Sequence, residues 1–351
     1  AKHLVIMGAG GLCFFLCYWV DYHRWRDILV PITLVIMAML VYVLGFGTAV
    51  NGAKRWIYIG SFSVQPAEFA KICSVMIEAY YLSYCIQKRQ AFKLIQSQHG
   101  TLVVLAALVE LEPDMGTMMI ILGVPLLMLI VAGLNMGKIK NLIFIVVAAA
   151  TALCIYQPYR LQRIKVMLDP WADAQGMGYQ TVQSITAIGS GGFWGMGLGE
   201  GLAKYAYLPE AHTDFAFAVF CQENGFLLAA GLIMLYGFLG YFGARIAKNA
   251  YDAYGQVLAG GLVILICLQA VINMFMVSGF LPVIGVPLPF ISYGGCSLLV
   301  SMAALGILVN INRYSLIKQL KMEKLTEHNL ANRQKPMRLM PGQRPKLTRI
   351  K

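Results

Sequence analysis

Apolar residues fall in long unbroken runs along this chain, separated by short polar segments. The runs predict helices near His3–Val20, Ile28–Val50, Pro66–Ile86, Leu102–Glu112, Met115–Leu134, Asn141–Tyr156, Thr213–Phe242, Gln256–Ser278 and Ile291–Asn312. Most are long enough to cross a hydrocarbon core of ~30 Å, which takes about 20 helical residues. The run ending in "ELEPDMG" is short and is expected to lean or to sit partly at the interface. No period-two alternation stands out between the runs. Lipid admits only helices or closed barrels, so the expected fold is all-α, a polytopic membrane helix bundle of about nine transmembrane helices.

Composition agrees. Of the 351 residues, 59% are hydrophobic and 13% charged, where soluble domains carry about 25% charge. The basic residues are unevenly placed. Arg24 and Arg26, Lys88 to Lys93, Lys138 and Lys140, Arg245 and Lys248, and the tail from Arg313 together hold 20 of the 28 Lys and Arg. By the positive-inside rule these segments are cytoplasmic. The segment 157–210 then becomes a large exterior loop, and the N-terminus lies outside. An outside start is awkward, and a further helix is expected upstream of Ala1. Residues 1–312 read as one membrane domain and 313–351 as a basic cytoplasmic tail, expected to be disordered. On a membrane protein such a tail meets anionic lipid, so nucleic acid is not an expected partner.

The eight cysteines lie singly in or beside apolar runs. Without CxxC or Cys/His spacing, neither zinc nor structural disulfides are expected. No Walker, Rossmann or GxSxG motif is evident, which argues against an ATP-driven machine.

Polar residues concentrate on the exterior side. In "NGAKRWIYIGSFSVQPAEFAKI", Pro66 opens a helix and Glu68 and Lys71 share a face at i and i+3. Arg55 and Lys71 either anchor the structure or form an anion site suited to a diphosphate. In "VELEPDMGT", Pro113 breaks the span among Glu110, Glu112 and Asp114. Asp114 either caps the next helix or serves a polar cavity. The Gly-rich "GSGGFWGMGLGEG" suits a re-entrant segment or a mere linker. In "LPEAHTDFAFAVFCQENGF", Thr213 or Asp214 could cap a helix. Capping does not account for Glu210, His212 and Asp214 together, and an acid beside fixed cations can act as a base. "SGFLPVIGVPLPFISYGG" reads as a rigid apolar loop, a connector or a wall for an isoprenoid chain.

The strings "NGAKRWI", "QPAEFAK", "EPDMGT", "IGSGGFWGMGLGEG", "LPEAHTDFAFAV" and "PLPFISYGG" occur in order from Asn51 to Gly295. Together they resemble the SEDS family of FtsW, RodA and SpoVE, nearest to the FtsW/SpoVE branch. That family has ten transmembrane helices, and the first run here resembles its second. Gln222 stands where the family usually shows an acid before Glu223, and Ala67 where it shows Ser.

The resemblance implies a peptidoglycan glycosyltransferase that polymerises lipid II at the outer leaflet of the bacterial cytoplasmic membrane, in division, elongation or spore-wall synthesis. It implies Asp214, the acidic residue of the family's HTDF motif, as the catalytic base taking the proton from the acceptor's 4-hydroxyl. Arg55, Lys71, Glu68, Asp114, His212, Glu210 and Lys204 are the expected substrate-binding residues. A divalent cation such as Mg or Mn, held by Asp114 and Asp214, is a further expectation. Expected partners are lipid II, the nascent glycan strand, a class B penicillin-binding protein, and other divisome or elongasome proteins. A lipid II flippase or transporter and a non-catalytic scaffold are the alternatives. A transporter should carry polar residues in both halves of the membrane.

Overall fold

The computed structural model describes residues 2–50, 53–60, 62–93, 96–135, 137–141, 158–205 and 208–334. In chain order these form α1 (Lys2–Trp19), α2 (Tyr22–Asp27), α3 (Leu29–Phe46), β1 (Thr48–Val50), β2 (Ala53–Ile59), β3 (Phe62–Val64), α4 (Pro66–Lys88), α5 (Ser97–Leu111) and α6 (Met115–Val131). There follow α7 (Pro158–Leu168), α8 (Tyr179–Ser190), α9 (Ala216–Asn249), α10 (Ala253–Val277) and α11 (Gly295–Gln334). Among the described residues, α3, α4, α9, α10 and α11 are long and apolar enough to cross a membrane, and α1, α5 and α6 are shorter apolar helices. The bundle is that of a multi-pass membrane protein. The helix expected near 141–156 lies, but for Asn141, outside the described residues.

Helix α4 is the hub. Of its most apolar stretch, 78% is buried, against 17% for α9, so α9 stands at the rim and α4 at the centre. It packs against α3, α5, α6 and α10, while α1 lies along α11. The main core joins Leu40, Val75, Leu82, Leu105, Ile121, Leu258 and Leu262. A smaller core links Phe215, Phe217, Ala218, Met276 and Leu288 under the outer loop.

Four features differ from the sequence reading. First, residues 48–64 form a three-stranded antiparallel sheet, β1-β2-β3, with Ile57 opposite Val64 and Trp56 opposite Thr48. In β2, Lys54, Trp56 and Tyr58 alternate with Arg55 and Ile57, a period-two pattern hidden by its short length.

Second, α11 continues for 40 residues, well past Asn312, so the first part of the basic tail is helical. The next proline after Pro289 is Pro336, and no glycine follows Gly306 until Gly342; nothing in that interval breaks a helix. Residues 335–351 lie outside the described residues.

Third, α9 starts at Ala216 rather than Thr213, with Phe215 at the cap and no side-chain cap bond. It is also broken at Gly225, where φ is 72° and ψ −176°.

Fourth, the described residues of the outer loop 157–210 include α7, α8 and two single 3-10 turns.

The Gly-rich segment explains the break. A helix interrupted at membrane depth exposes backbone groups that must find partners. The carbonyls of Gln222 and Glu223 accept from the N–H of Met196 and Gly197, each at 3.0 Å. The N–H groups of Phe226 and Leu227 donate to Gly192 and Phe193 at 2.9 and 3.3 Å. A Cβ on Gly195 would come within 2.2 Å of the Glu223 carbonyl oxygen, and one on Gly225 within 2.3 Å of the Gly195 nitrogen. Only glycine permits this approach. The segment expected to be re-entrant or a linker is a clasp on α9.

Candidate active site

The sheet end of the bundle gathers the sequence-predicted residues around the loop between α10 and α11. Arg55 projects from β2 onto the α5–α6 junction. Its Nε donates to the Glu112 carbonyl at 2.9 Å, and an Nη donates to the Pro113 carbonyl. The guanidinium therefore ties the sheet to the helix break instead of reaching toward headgroups.

Asp114 caps α6 as one reading expected. Its Oδ1 accepts from the Thr117 N–H at 3.1 Å, and its Oδ2 accepts from the Thr117 hydroxyl at 3.0 Å and from Gln65 Nε2 at 3.2 Å. Glu112 beside it is 1% exposed, and burial, aided by Asp114 and opposed by Arg55, pushes its carboxyl up to about 8. A carboxyl so placed is largely neutral at physiological pH.

Glu68 and Lys71 pair at 2.8 Å, as their i,i+3 spacing predicts, and both are almost fully buried. Lys71 also donates to Gln269 Oε1 at 3.2 Å, and Gln269 Nε2 donates to the Pro287 carbonyl at 2.9 Å. One turn along α10, Asn273 is fully buried and its Nδ2 donates to the carbonyls of Asp214 and Val286, both at 2.7 Å. Polar contacts thus run from Glu68 through Lys71 and Gln269 to Pro287, and from Asn273 to the adjoining Val286 and the backbone of Asp214. Gln269 and Asn273 were not among the expected site residues. The signal available in the sequence was two amides four residues apart in an otherwise apolar helix.

Asp214 sits in a tight turn, not in a cap. Glu210, at φ 53°, accepts from the N–H of Thr213 and Phe215 through its carbonyl, and its carboxylate accepts from the Thr213 hydroxyl at 2.8 Å. Left-handed backbone at a non-glycine residue is a strained arrangement found at functional sites. The His212 carbonyl accepts from the Tyr293 N–H at 2.7 Å, so the α10–α11 loop holds this turn from outside. Gly285 packs close enough that a Cβ there would lie 3.4 Å from Asp214 Oδ2. Burial raises the Asp214 carboxyl to about 7; Glu210, Asp114 and Glu68 add to the rise and Arg55 opposes it. The carboxylate therefore lies within the field of Arg55 and of three other carboxyl groups.

Lys204 is placed apart from this cluster. It pairs with Glu223 at 2.7 Å, beside the Gly225 break, and that partner raises its pKa. The polar groups are also not confined to one end. Glu78, ten residues beyond Glu68 on α4 and so about 15 Å away, is fully buried with His99 at 3.2 Å. At the far end, Tyr22 donates to Asp252, and His23 lies 2.7 Å from Asp21.

Among the described residues, no group of three or more His, Cys, Asp or Glu side chains is arranged to hold a metal ion. Both Asp114 oxygens are already engaged. The residues present do not form a ready divalent-cation centre at Asp114 and Asp214, and no step below runs through one.

The family model for FtsW, RodA and SpoVE, described as cell cycle protein, matches residues 1–316. Stage V sporulation protein E of Bacillus subtilis is 37% identical over 317 residues, covering 90% of this chain and 87% of the relative. A probable peptidoglycan glycosyltransferase FtsW of Trichlorobacter lovleyi is 41% identical over 300 residues, covering 84% of this chain and 78% of the relative. Among solved structures, a chain of a peptidoglycan synthase complex that coordinates polymerization and crosslinking superposes with a TM-score of 0.74 at 26% identity, covering 89% of this chain and 88% of that one. The rod shape determining protein RodA of Thermus thermophilus gives 0.62 at 25% identity, covering 88% and 85%. The chain is therefore a member of the FtsW/RodA/SpoVE (SEDS) family.

Proposed function

We propose that this protein is a peptidoglycan glycosyltransferase that polymerises lipid II at the outer leaflet. The observation that carries the reading is Asp214. It is a partly buried carboxyl raised to about 7, pinned through its backbone by Asn273 and set in the field of Arg55. A base poised near the working pH is the form best suited to proton abstraction. In the reaction, Asp214 takes the proton of the acceptor's 4-hydroxyl as that oxygen bonds to the donor's anomeric carbon. The bond to the undecaprenyl diphosphate breaks, and the diphosphate leaves with the electron pair. Arg55 supplies positive charge toward the departing group. Lys71 is sealed and acts as a positioning residue through Glu68 and Gln269. Glu210 and His212 hold and tune the Asp214 turn, and Asp114 fixes the wall opposite.

Relatives named as glycosyltransferases support the activity. Likeness to a synthase complex supports a class B penicillin-binding protein as partner. The charge asymmetry supports a cytoplasmic C-terminus in the cytoplasmic membrane.

The test uses purified protein and lipid II, with glycan strands resolved on a gel. Asp214→Asn should yield no polymer while keeping the wild-type elution profile and unfolding curve. Polymerisation by that variant at the wild-type rate sinks the assignment.

One observation favours a second reading. The Glu78–His99 pair places titratable groups deep in the other half of the bundle, as a lipid II transporter would. In liposomes, lipid II translocation that depends on Glu78, without polymer from the wild type, would put transport ahead of glycosyl transfer.

A further inference from the structure

A cavity of about 380 Å³ lies outside the cluster just described, between α7, the start of α8 and the α10–α11 loop. Its volume falls within the range of small-molecule sites, about 300–1,000 Å³. Its walls include Arg163, Val166, Met177, Tyr179, Gln180 and Leu281, with Pro209 at one edge. Arg163 Nη1 donates to the Val283 carbonyl and so staples α7 over the loop.

Two strands of evidence join this cavity to Asp214. The loop passes from Val283, in the cavity wall, to Gly285, which packs against the Asp214 carboxylate. Two residues of extended chain span about 7 Å. The second connection is Pro209, whose neighbour Glu210 forms the turn that carries Asp214. The same two elements frame both spaces.

The lining chemistry selects the occupant. Among the described residues its lining contains no carboxylate to attract a cation. It holds one guanidinium among the described lining residues, Arg163, with no second cation beside it to share the charge of a diphosphate. A volume of about 380 Å³ is small for a long isoprenoid chain. Apolar side chains from Val166, Met177 and Leu281 stand beside the Gln180 amide, with two donors and an acceptor, and the Tyr179 ring. That mixture matches a neutral amino sugar, which has an apolar face and a hydroxyl and amide rim.

We propose that this cavity is a saccharide subsite that holds the acceptor end of the glycan strand while its 4-hydroxyl reaches Asp214. It rests on the glycosyltransferase reading. The donor diphosphate then lies toward Arg55, and the strand leaves between α7 and α8.

Two measurements test the proposal with the full-length protein in detergent or liposomes. Met177→Trp fills the cavity from an exposed position, and Gln180→Ala removes the amide. Both should raise the KM for lipid II by about tenfold and shorten the strands, with little change in kcat. Wild-type KM and strand length in both variants would overturn the subsite. Independently, Met177→benzoylphenylalanine should photocrosslink to a preformed uncrosslinked glycan strand, and excess strand should compete. Absence of that crosslink also overturns the subsite. If the wild type makes no polymer, the glycosyltransferase reading fails, and the crosslink still decides whether the cavity binds saccharide.

Discussion

Asn273 holds Asp214 by the main chain: its amide nitrogen lies 2.7 Å from the Asp214 carbonyl oxygen and 2.7 Å from that of Val286. One buried side chain thus sets the position of the carboxylate turn relative to the α10–α11 loop. Asn273→Ala leaves two carbonyls without this donor, a loss of about 1–3 kcal/mol for each group that stays unpaired. Thermal unfolding should shift down, and polymerisation should fall by at least an order of magnitude. Full activity in that variant would show that the turn holds its place unaided.

The buried ion pair gives a prediction with an internal control. Glu68→Gln or Lys71→Met alone strands one charge in the core, which costs about 3–5 kcal/mol. The double variant removes both charges and should recover most of the lost stability in thermal unfolding. Polymerisation should not return, because Gln269 then loses its ammonium partner. Recovery of both together would reduce the pair to a structural role.

The pH profile follows from Asp214. Burial first, then the neighbouring carboxylates, raise its pKa to about 7 from an ordinary value near 4. The ionised base accumulates as pH rises, so the initial rate of polymerisation should climb across about pH 6 to 8 and then level. Glu210→Gln removes the largest carboxylate contribution and should move the rising limb to lower pH. In the folded state the protonated acid is favoured, so its stabilisation is complete below the unfolded value and lost as pH passes about 7. Asp214→Asn should therefore unfold at or above the wild-type temperature at pH 8, while remaining inactive.

The clasp on α9 predicts a contrast between glycines. Gly195→Ala and Gly225→Ala place a methyl 2.2–2.3 Å from backbone atoms and require a positive φ at each. Both should reduce the yield of folded protein in the membrane. Gly231→Ala, on the same helix with nothing within 4 Å, should express as the wild type. Equal yields for all three would mean that the clasp yields without cost.

Much of the site was legible along the chain because its chemistry is local. Glu68 and Lys71 pair through helical spacing, Asp114 caps the helix that follows its proline, and Glu210 and Asp214 share one turn. Lys204 pairs with Glu223, 19 residues away and just before the Gly225 break, a partner that no local spacing records. Arg55, read as an anchor or part of an anion site, folds onto carbonyls 57 and 58 residues distant. Asn273 was missed altogether, since two amides four residues apart in an apolar helix mark a face but not the distant carbonyls it meets.

The helices and their membrane setting follow from sequence alone, because hydrocarbon leaves the backbone no partner but itself and long apolar runs have one solution. Tertiary structure alone decided where α9 breaks, which loop satisfies the break, and how α10 fixes the Asp214 turn. Those bonds join residues from about 10 to 60 positions apart, and no local periodicity records which distant carbonyl a buried donor will meet.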